Sequence, residues 1–219
     1  MSTFRAVIFD MDGVIVDSEP RHERAFREIF AGMGYAETHG IDFPAYYGRS
    51  DRALWLDFIR MHRPPQSIEV LMGWKQSRFL EIIRAERPIF EGIPGFVGRL
   101  SRRYRLAVAS GSPHAVIDAV LEMGDLRRHF PVVVSSQDVA RGKPAPDIFL
   151  RAAERMGVAP GDCCVIEDAP AGVQAARAAG MTAIAITNSL PSVELAAAHH
   201  IVSNYAEIEA LLLGETRDP

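Results

Sequence analysis

A chain of 219 residues with 48% hydrophobic and 24% charged content can bury a sizeable core, which excludes an intrinsically disordered protein. Acids and bases are interspersed around a formal net charge of −4, with no long run of either sign, so a nucleic-acid groove and a polybasic membrane patch are not expected. Cys163 and Cys164 are the only cysteines and adjacent, and no stretch of about 18 apolar residues occurs, so the expectation is a soluble protein of the reducing cytoplasm, without disulfides or targeting segment.

In chain order, the first element is the apolar run Ala6-Val7-Ile8-Phe9, which does not alternate with polar residues and reads as a strand buried on both faces. From about Asp17 to Arg87 the sequence shows helical patterns at Arg21 to Met33, Asp51 to Met61 and Glu69 to Ala85, and no convincing strand. Trp55 and Trp74, among Leu54, Phe58, Phe79 and Leu80, are expected to pack a small core of their own there. Further strands follow at Leu106 to Ala109, Val132 to Val134, Cys164 to Ile166 and Ala183 to Ile186. Between them lie helical patterns at His114 to Met123, Asp147 to Met156 and Ala171 to Ala179, each stopped by a glycine (Gly124, Gly157, Gly180) where a left-handed cap is expected.

Strands alternating with helices imply right-handed crossovers and a parallel sheet covered on both faces. The expected fold is α/β, a Rossmann-like parallel-sheet core over 1–16 and 88–219 with an inserted α-helical cap over 17–87.

Ligands of such sheets bind at the carboxyl ends of the strands. Asp10 and Asp12 follow the first strand, Ser110 the second, and Glu167-Asp168 the fourth, while Lys143 follows the third by a short loop. Asp10 and Asp168, with the Asp12 backbone oxygen, suit a hard cation with oxygen ligands, namely Mg2+. A carboxylate attacking phosphorus forms an aspartyl-phosphate if the phosphoryl charge is neutralised, and Lys143 and Ser110 are placed to do that. Asp12, two residues on, shares a face with Asp10 in an extended segment and suits general acid–base catalysis, and Gly13 lets the chain turn away. Ser112 is expected to cap the next helix, with Pro113 at its first position. Glu167 is either a direct metal ligand or an acceptor orienting metal-bound water, and the second reading is preferred. Cys163 and Cys164 read as unreactive core-edge residues.

The segment Asp10-Met11-Asp12-Gly13-Val14-Ile15-Val16-Asp17-Ser18 resembles the first motif of the haloacid dehalogenase superfamily. Ala109-Ser110-Gly111-Ser112, Lys143-Pro144-Ala145-Pro146-Asp147 and Ile166-Glu167-Asp168-Ala169-Pro170-Ala171-Gly172 resemble the second, third and fourth, in order. The cap placement and the Lys-Pro-x-Pro-Asp form are similar to the subgroup of β-phosphoglucomutase and small sugar-phosphate phosphatases. The resemblance implies Asp10 as nucleophile, Asp12 as acid–base, Ser110 and Lys143 around the phosphate, and Asp10, Asp12 and Asp168 around Mg2+; Gly111, beside Ser110, is a further candidate substrate contact and Glu167 a further candidate metal residue. His22 resembles the cap-side histidine of the mutase, and Arg49 and Lys75 are candidate substrate contacts, with solvated charges as the ordinary alternative for all three.

The expected activity is Mg-dependent hydrolysis of a small phosphate monoester, with phosphate transfer between sugar hydroxyls as the alternative and a non-catalytic binding module third. Ser112-Pro113 is more like the phosphatases. A dehalogenase has no use for Asp12, and a phosphonate-cleaving relative needs a Schiff-base lysine that Lys75 fits poorly. The expected partner is a small phosphorylated metabolite, with no nucleic acid or membrane. Oligomeric state is not legible, and a monomer is compatible.

Overall fold

The computed structural model describes residues 4–46 and 50–214. The chain forms two compact units, one from Met1–Asp17 with Ile89–Pro219 and the other from Ser18–Pro88. The elements run β1 (Ala6–Phe9), α1 (Glu19–Gly32), α2 (Asp51–His62), α3 (Ile68–Glu86), α4 (Ile93–Leu100), β2 (Arg105–Ser110), α5 (His114–Met123), β3 (Val132–Ser135), α6 (Asp147–Met156), β4 (Cys163–Glu167), α7 (Pro170–Ala178), β5 (Thr182–Ile186), β6 (His200–Val202) and α8 (Tyr205–Leu213). The architecture is α/β, a Rossmann-like parallel sheet with an inserted helical cap.

The six strands are all parallel, in the order β3-β2-β1-β4-β5-β6. β1 is central because all four of its residues are buried and none presents a polar side chain to either face. The chain grows outward from β1 through β2 and β3, then returns to add β4 on the other side, so a crevice opens at the carboxyl ends of β1 and β4. One face of the sheet packs on α6 and α7 through Ile148, Phe149, Ala152, Val173 and Ala176, all buried.

The structure departs from expectation at the end of α5 and in three added elements. The left-handed residue after α5 is Asp125 (φ 53), while Gly124 has φ −91. Gly124 is needed for closeness instead, since a Cβ there would lie 2.9 Å from Leu126 Cγ and Cδ1. The short edge strand β6 and helices α4 and α8 are additional to the elements read from the sequence. α8 is tied back to the core by the two-bond pairing of Arg99 with Glu209 (2.5 and 2.8 Å).

Within the helical unit, Phe26, Phe30, Phe43, Leu54, Trp55, Phe58 and Leu71 form the core. Trp55 is fully buried there, but Trp74 is 44% exposed. The buried stripe of α3 runs Leu71, Lys75, Phe79, Ile82 and Ile83, and Trp74 sits about 100° of helix rotation away from Lys75, off that stripe. α1 and α3 are also joined by Arg21 and Arg24 to Glu86, at 2.8 and 2.6 Å. No helix among the described residues is long and apolar enough to cross a membrane.

Candidate active site

The ladder fixes which residues meet. Phe9 pairs with Val108 on one side and Ile166 on the other. The Asp10 amide continues that ladder by donating to Ile166 O at 2.9 Å, which brings Asp10 level with Glu167 and next to Asp168. Ser110 pairs with Ser135 at the end of β2. Three strand ends thus deliver Asp10, Asp168, Glu167 and Ser110 to one place because adjacent parallel strands lie only about 4.8 Å apart.

Asp10, Glu167 and Asp168 are all buried, and one carboxylate oxygen from each lies within 4.8 Å of the others. Lys143, in the loop before α6, places Nζ 2.6 Å from Glu167 Oε1 and 2.8 Å from Asp10 Oδ1. Asp10 Oδ1, although beside that ammonium, lacks a hydrogen bond of good alignment. Burial raises the Asp10 carboxyl far above the usual carboxylate range, and Glu167 and Asp12 add to this while Lys143 opposes it. Asp168 is raised in the same way, first by burial and then by the charges of Glu167 and Asp10. Burial works against the charge on Lys143, but Asp10 and Glu167 outweigh it and hold the ammonium protonated.

Three buried carboxylates against one ammonium leave two negative charges uncompensated in low dielectric, which is costly unless a cation shares the site. An oxygen donor set with that charge deficit, and an oxygen of Asp10 without an aligned donor, fit a divalent hard cation such as Mg2+. The cradle is shaped closely around these groups. A Cβ on Gly13, which holds φ +71, would lie 1.8 Å from Asp168 Oδ2, and one on Gly172 would lie 1.7 Å from Glu167 Oε1. Glu167 is held by more than Lys143, since its Oε2 accepts from the amides of Asp168 and Ala169, each at 2.9 Å. With both oxygens engaged, Glu167 anchors Lys143 and the loop after β4.

Asp12 is held separately. Its Oδ2 accepts from Ser110 Oγ at 3.2 Å and Ser112 Oγ at 3.0 Å, and the Ser112 amide donates to Ser110 Oγ at 3.0 Å. The expectation that Ser112 caps α5 is therefore corrected. Pro113 occupies the N-cap position with no side-chain cap, and the Ser112 hydroxyl is directed to Asp12 instead. Ser112 lies two residues beyond Ser110, a spacing that puts both on one face of an extended segment and was a readable signal. Gly111 between them is exposed.

Sequence reasoning also missed Ser135, whose hydroxyl donates to Ser112 O at 2.8 Å, and Ser189, which hydrogen-bonds Asp168. Neither lies in a motif, and only the fold brings them near. Burial raises the Cys163 thiol to about 11, and Cys164 further still, in keeping with inert core residues.

In the helical unit, Lys75 is buried, with Nζ 2.6 Å from Asp51 Oδ2, bonded to His22 Nδ1, and over the rings of Phe26 and Phe79 at 4.8 and 5.0 Å. His22 stacks on Phe79 with ring centroids 3.9 Å apart. Lys75 is thus not a solvated surface charge. Arg49 lies outside the described residues.

Comparison with known proteins gives the same reading. Residues 4–180 match the family model described as a haloacid dehalogenase-like hydrolase. The chain is 36% identical over 188 residues to fructose-1-phosphate phosphatase YqaB of Escherichia coli K12, covering 83% of this chain and 95% of that protein. It is 32% identical to hexitol phosphatase B of the same organism, over 85% of this chain and 86% of the relative. Among solved structures, CbbY of Rhodobacter sphaeroides in complex with xylulose-(1,5)bisphosphate superposes with a TM-score of 0.83 at 26% identity, over 93% of this chain and 96% of that one. A carboxylate cluster at the central strand ends, four ordered motifs and a family match over most of the chain converge on one statement: this chain belongs to the haloacid dehalogenase-like hydrolase family.

Proposed function

We propose that this protein hydrolyses a small sugar-phosphate monoester through an aspartyl-phosphate on Asp10. The observation that carries this reading is the buried cluster of Asp10, Glu167 and Asp168 around Lys143, beside an Asp12 carboxyl held by two hydroxyls. The names of the similar enzymes from Escherichia coli, both sugar or hexitol phosphatases, support the substrate class.

In this reading Mg2+, held by Asp10, Asp168 and the backbone oxygen of Asp12, supplies charge neutralisation for the phosphoryl oxygens. An Asp10 carboxylate oxygen bonds to phosphorus as the ester oxygen departs, and Asp12 gives its proton to that oxygen. Lys143, Ser110 and the Gly111 backbone contact the phosphoryl group. Water then attacks phosphorus and yields its proton to Asp12, which releases inorganic phosphate and frees Asp10. Ser110 and Ser112 hold Asp12 aimed for both transfers. Glu167 keeps Lys143 placed and would help to position the metal ligands around it. His22, Lys75 and Arg49 are retained as the substrate-selecting residues of the helical unit.

The test is phosphate release from fructose 1-phosphate and a set of hexitol phosphates, with and without Mg2+, in wild type and Asp10→Asn. Release by the wild type only, and only with Mg2+, is expected. Full activity in Asp10→Asn would overturn the nucleophile assignment, and interconversion of sugar phosphates without release would select the mutase chemistry.

A further inference from the structure

The turn that follows Asp12 is closed internally by its amides: those of Val14, Ile15 and Val16 point to Met11 O, and Gly13 N–H donates to Val16 O at 2.9 Å. The carbonyls of Gly13 and Val14 are taken up from outside. Asn188 Nδ2 donates to Gly13 O at 2.8 Å and to the Tyr205 hydroxyl at 3.0 Å, and that hydroxyl donates to Val14 O at 3.0 Å. An amide nitrogen has two hydrogens and a phenol has one, so each hydrogen is used once and the direction of every bond in the ring is fixed.

Both members of this clasp stand on firm supports. Asn188 follows the end of β5 by two residues, and Tyr205 opens α8. The Tyr205 ring packs against Phe96 and Phe90, with centroids 5.4 and 6.3 Å apart. The neighbouring Ser189 holds Asp168 and would lie 2.5 Å from a Cβ on Gly13, so the same loop touches the β1 turn and the β4 carboxylate together.

We infer that Asn188 and Tyr205 are positioning residues, which clamp the Gly13–Val14 turn and so fix Asp12 relative to Asp10. This inference rests on the reaction proposed above. A turn carrying a proton-transferring carboxyl must be held to fractions of an ångström, because small misplacements of reacting groups cost large factors in rate. Neither residue touches the reacting atoms, and neither belongs to the four motifs.

Tyr205→Phe removes the hydroxyl and keeps the ring packing, Asn188→Ala removes the other donor, and the double variant tests whether they act as one unit. Amide hydrogen exchange of residues 11–16 is followed by mass spectrometry in the metal-free protein, and kcat and KM for p-nitrophenyl phosphate are measured with Mg2+. Each single variant is expected to exchange about tenfold faster in that segment while β2 and β4 are unchanged, and to lose on the order of tenfold in kcat with KM within about twofold. The double variant should lose less than the product of the two single losses. Unchanged exchange in both single variants, or faster exchange with kcat within about twofold of wild type, overturns the inference. A wild type that releases no phosphate from any ester overturns the proposed reaction, and unchanged exchange then still refutes the clamp.

Discussion

Gly172 lies in the first turn of α7, where helix propensity alone predicts that Gly172→Ala stabilises by about 1 kcal/mol. The structure predicts the opposite. The added Cβ would lie 1.7 Å from Glu167 Oε1 and 1.9 Å from its Cδ, and Glu167 is fully buried. The carboxylate must rotate away, giving up the amides of Asp168 and Ala169 and the Lys143 ammonium. Hydrogen bonds to a charged group contribute about 1.5–3 kcal/mol each, and partial recovery elsewhere brings the expected net loss to about 3–5 kcal/mol. For a chain of this size that corresponds to a fall in Tm of roughly 10 °C. Urea and thermal unfolding of the metal-free protein measure it. Shortening the partner in Gly172→Ala with Glu167→Asp should restore about half the loss, because the clash is with the end of that side chain. Gly172→Ala as stable as wild type, or no recovery in the double variant, would refute this reasoning.

Three further predictions rest on separate contacts. Lys143→Met should lower kcat by about 10²–10³-fold, as for loss of a donor that stabilises transition-state charge, and a loss under about threefold in steady-state kinetics would count against that role. Gly13→Ala, at φ +71 and with its Cβ 1.8 Å from Asp168 Oδ2, should weaken Mg2+ binding at least about tenfold by titration calorimetry. Asp138 is held at about 2, since burial raises its pKa but the Ser135 amide, Arg155 and His114 outweigh that. A depressed carboxyl contributes stability above its unfolded pKa and loses it as pH falls towards the folded one. Asp138→Asn should therefore cost about 2 kcal/mol at neutral pH, and the gap to wild type should be roughly halved by pH 3 in urea titrations. A gap that stays constant from pH 7 to pH 3 would show that these ionic partners do not set the pKa.

The strands were legible because buried parallel strands must be apolar on both faces, and Ala6-Val7-Ile8-Phe9 and Cys164-Val165-Ile166 allow little else. Asp10, Asp12, Ser110, Lys143 and Asp168 were legible because each stands at or near the end of such a run. β6 was not, being three residues long with two of them exposed, which leaves no periodic signal. Trp74 was misplaced because a broad apolar pattern does not say which edge of the stripe faces inward, and Gly124 because a glycine after a helix serves closeness as readily as a left-handed turn.

The sequence by itself determined the order of the elements, the insertion after β1 and the identity of the groups that do chemistry, since these follow from local patterning and from where charged residues interrupt apolar runs. Only the tertiary structure decided how those groups are held. Ser112 turns to Asp12, Glu167 anchors Lys143 through one oxygen and the loop after β4 through the other, and Asn188 and Tyr205 reach Gly13 and Val14 from 175 and 191 residues away. Such contacts depend on strand register and on the return of distant loops to one sheet edge, and pairing across that separation leaves no mark in the local pattern of either segment.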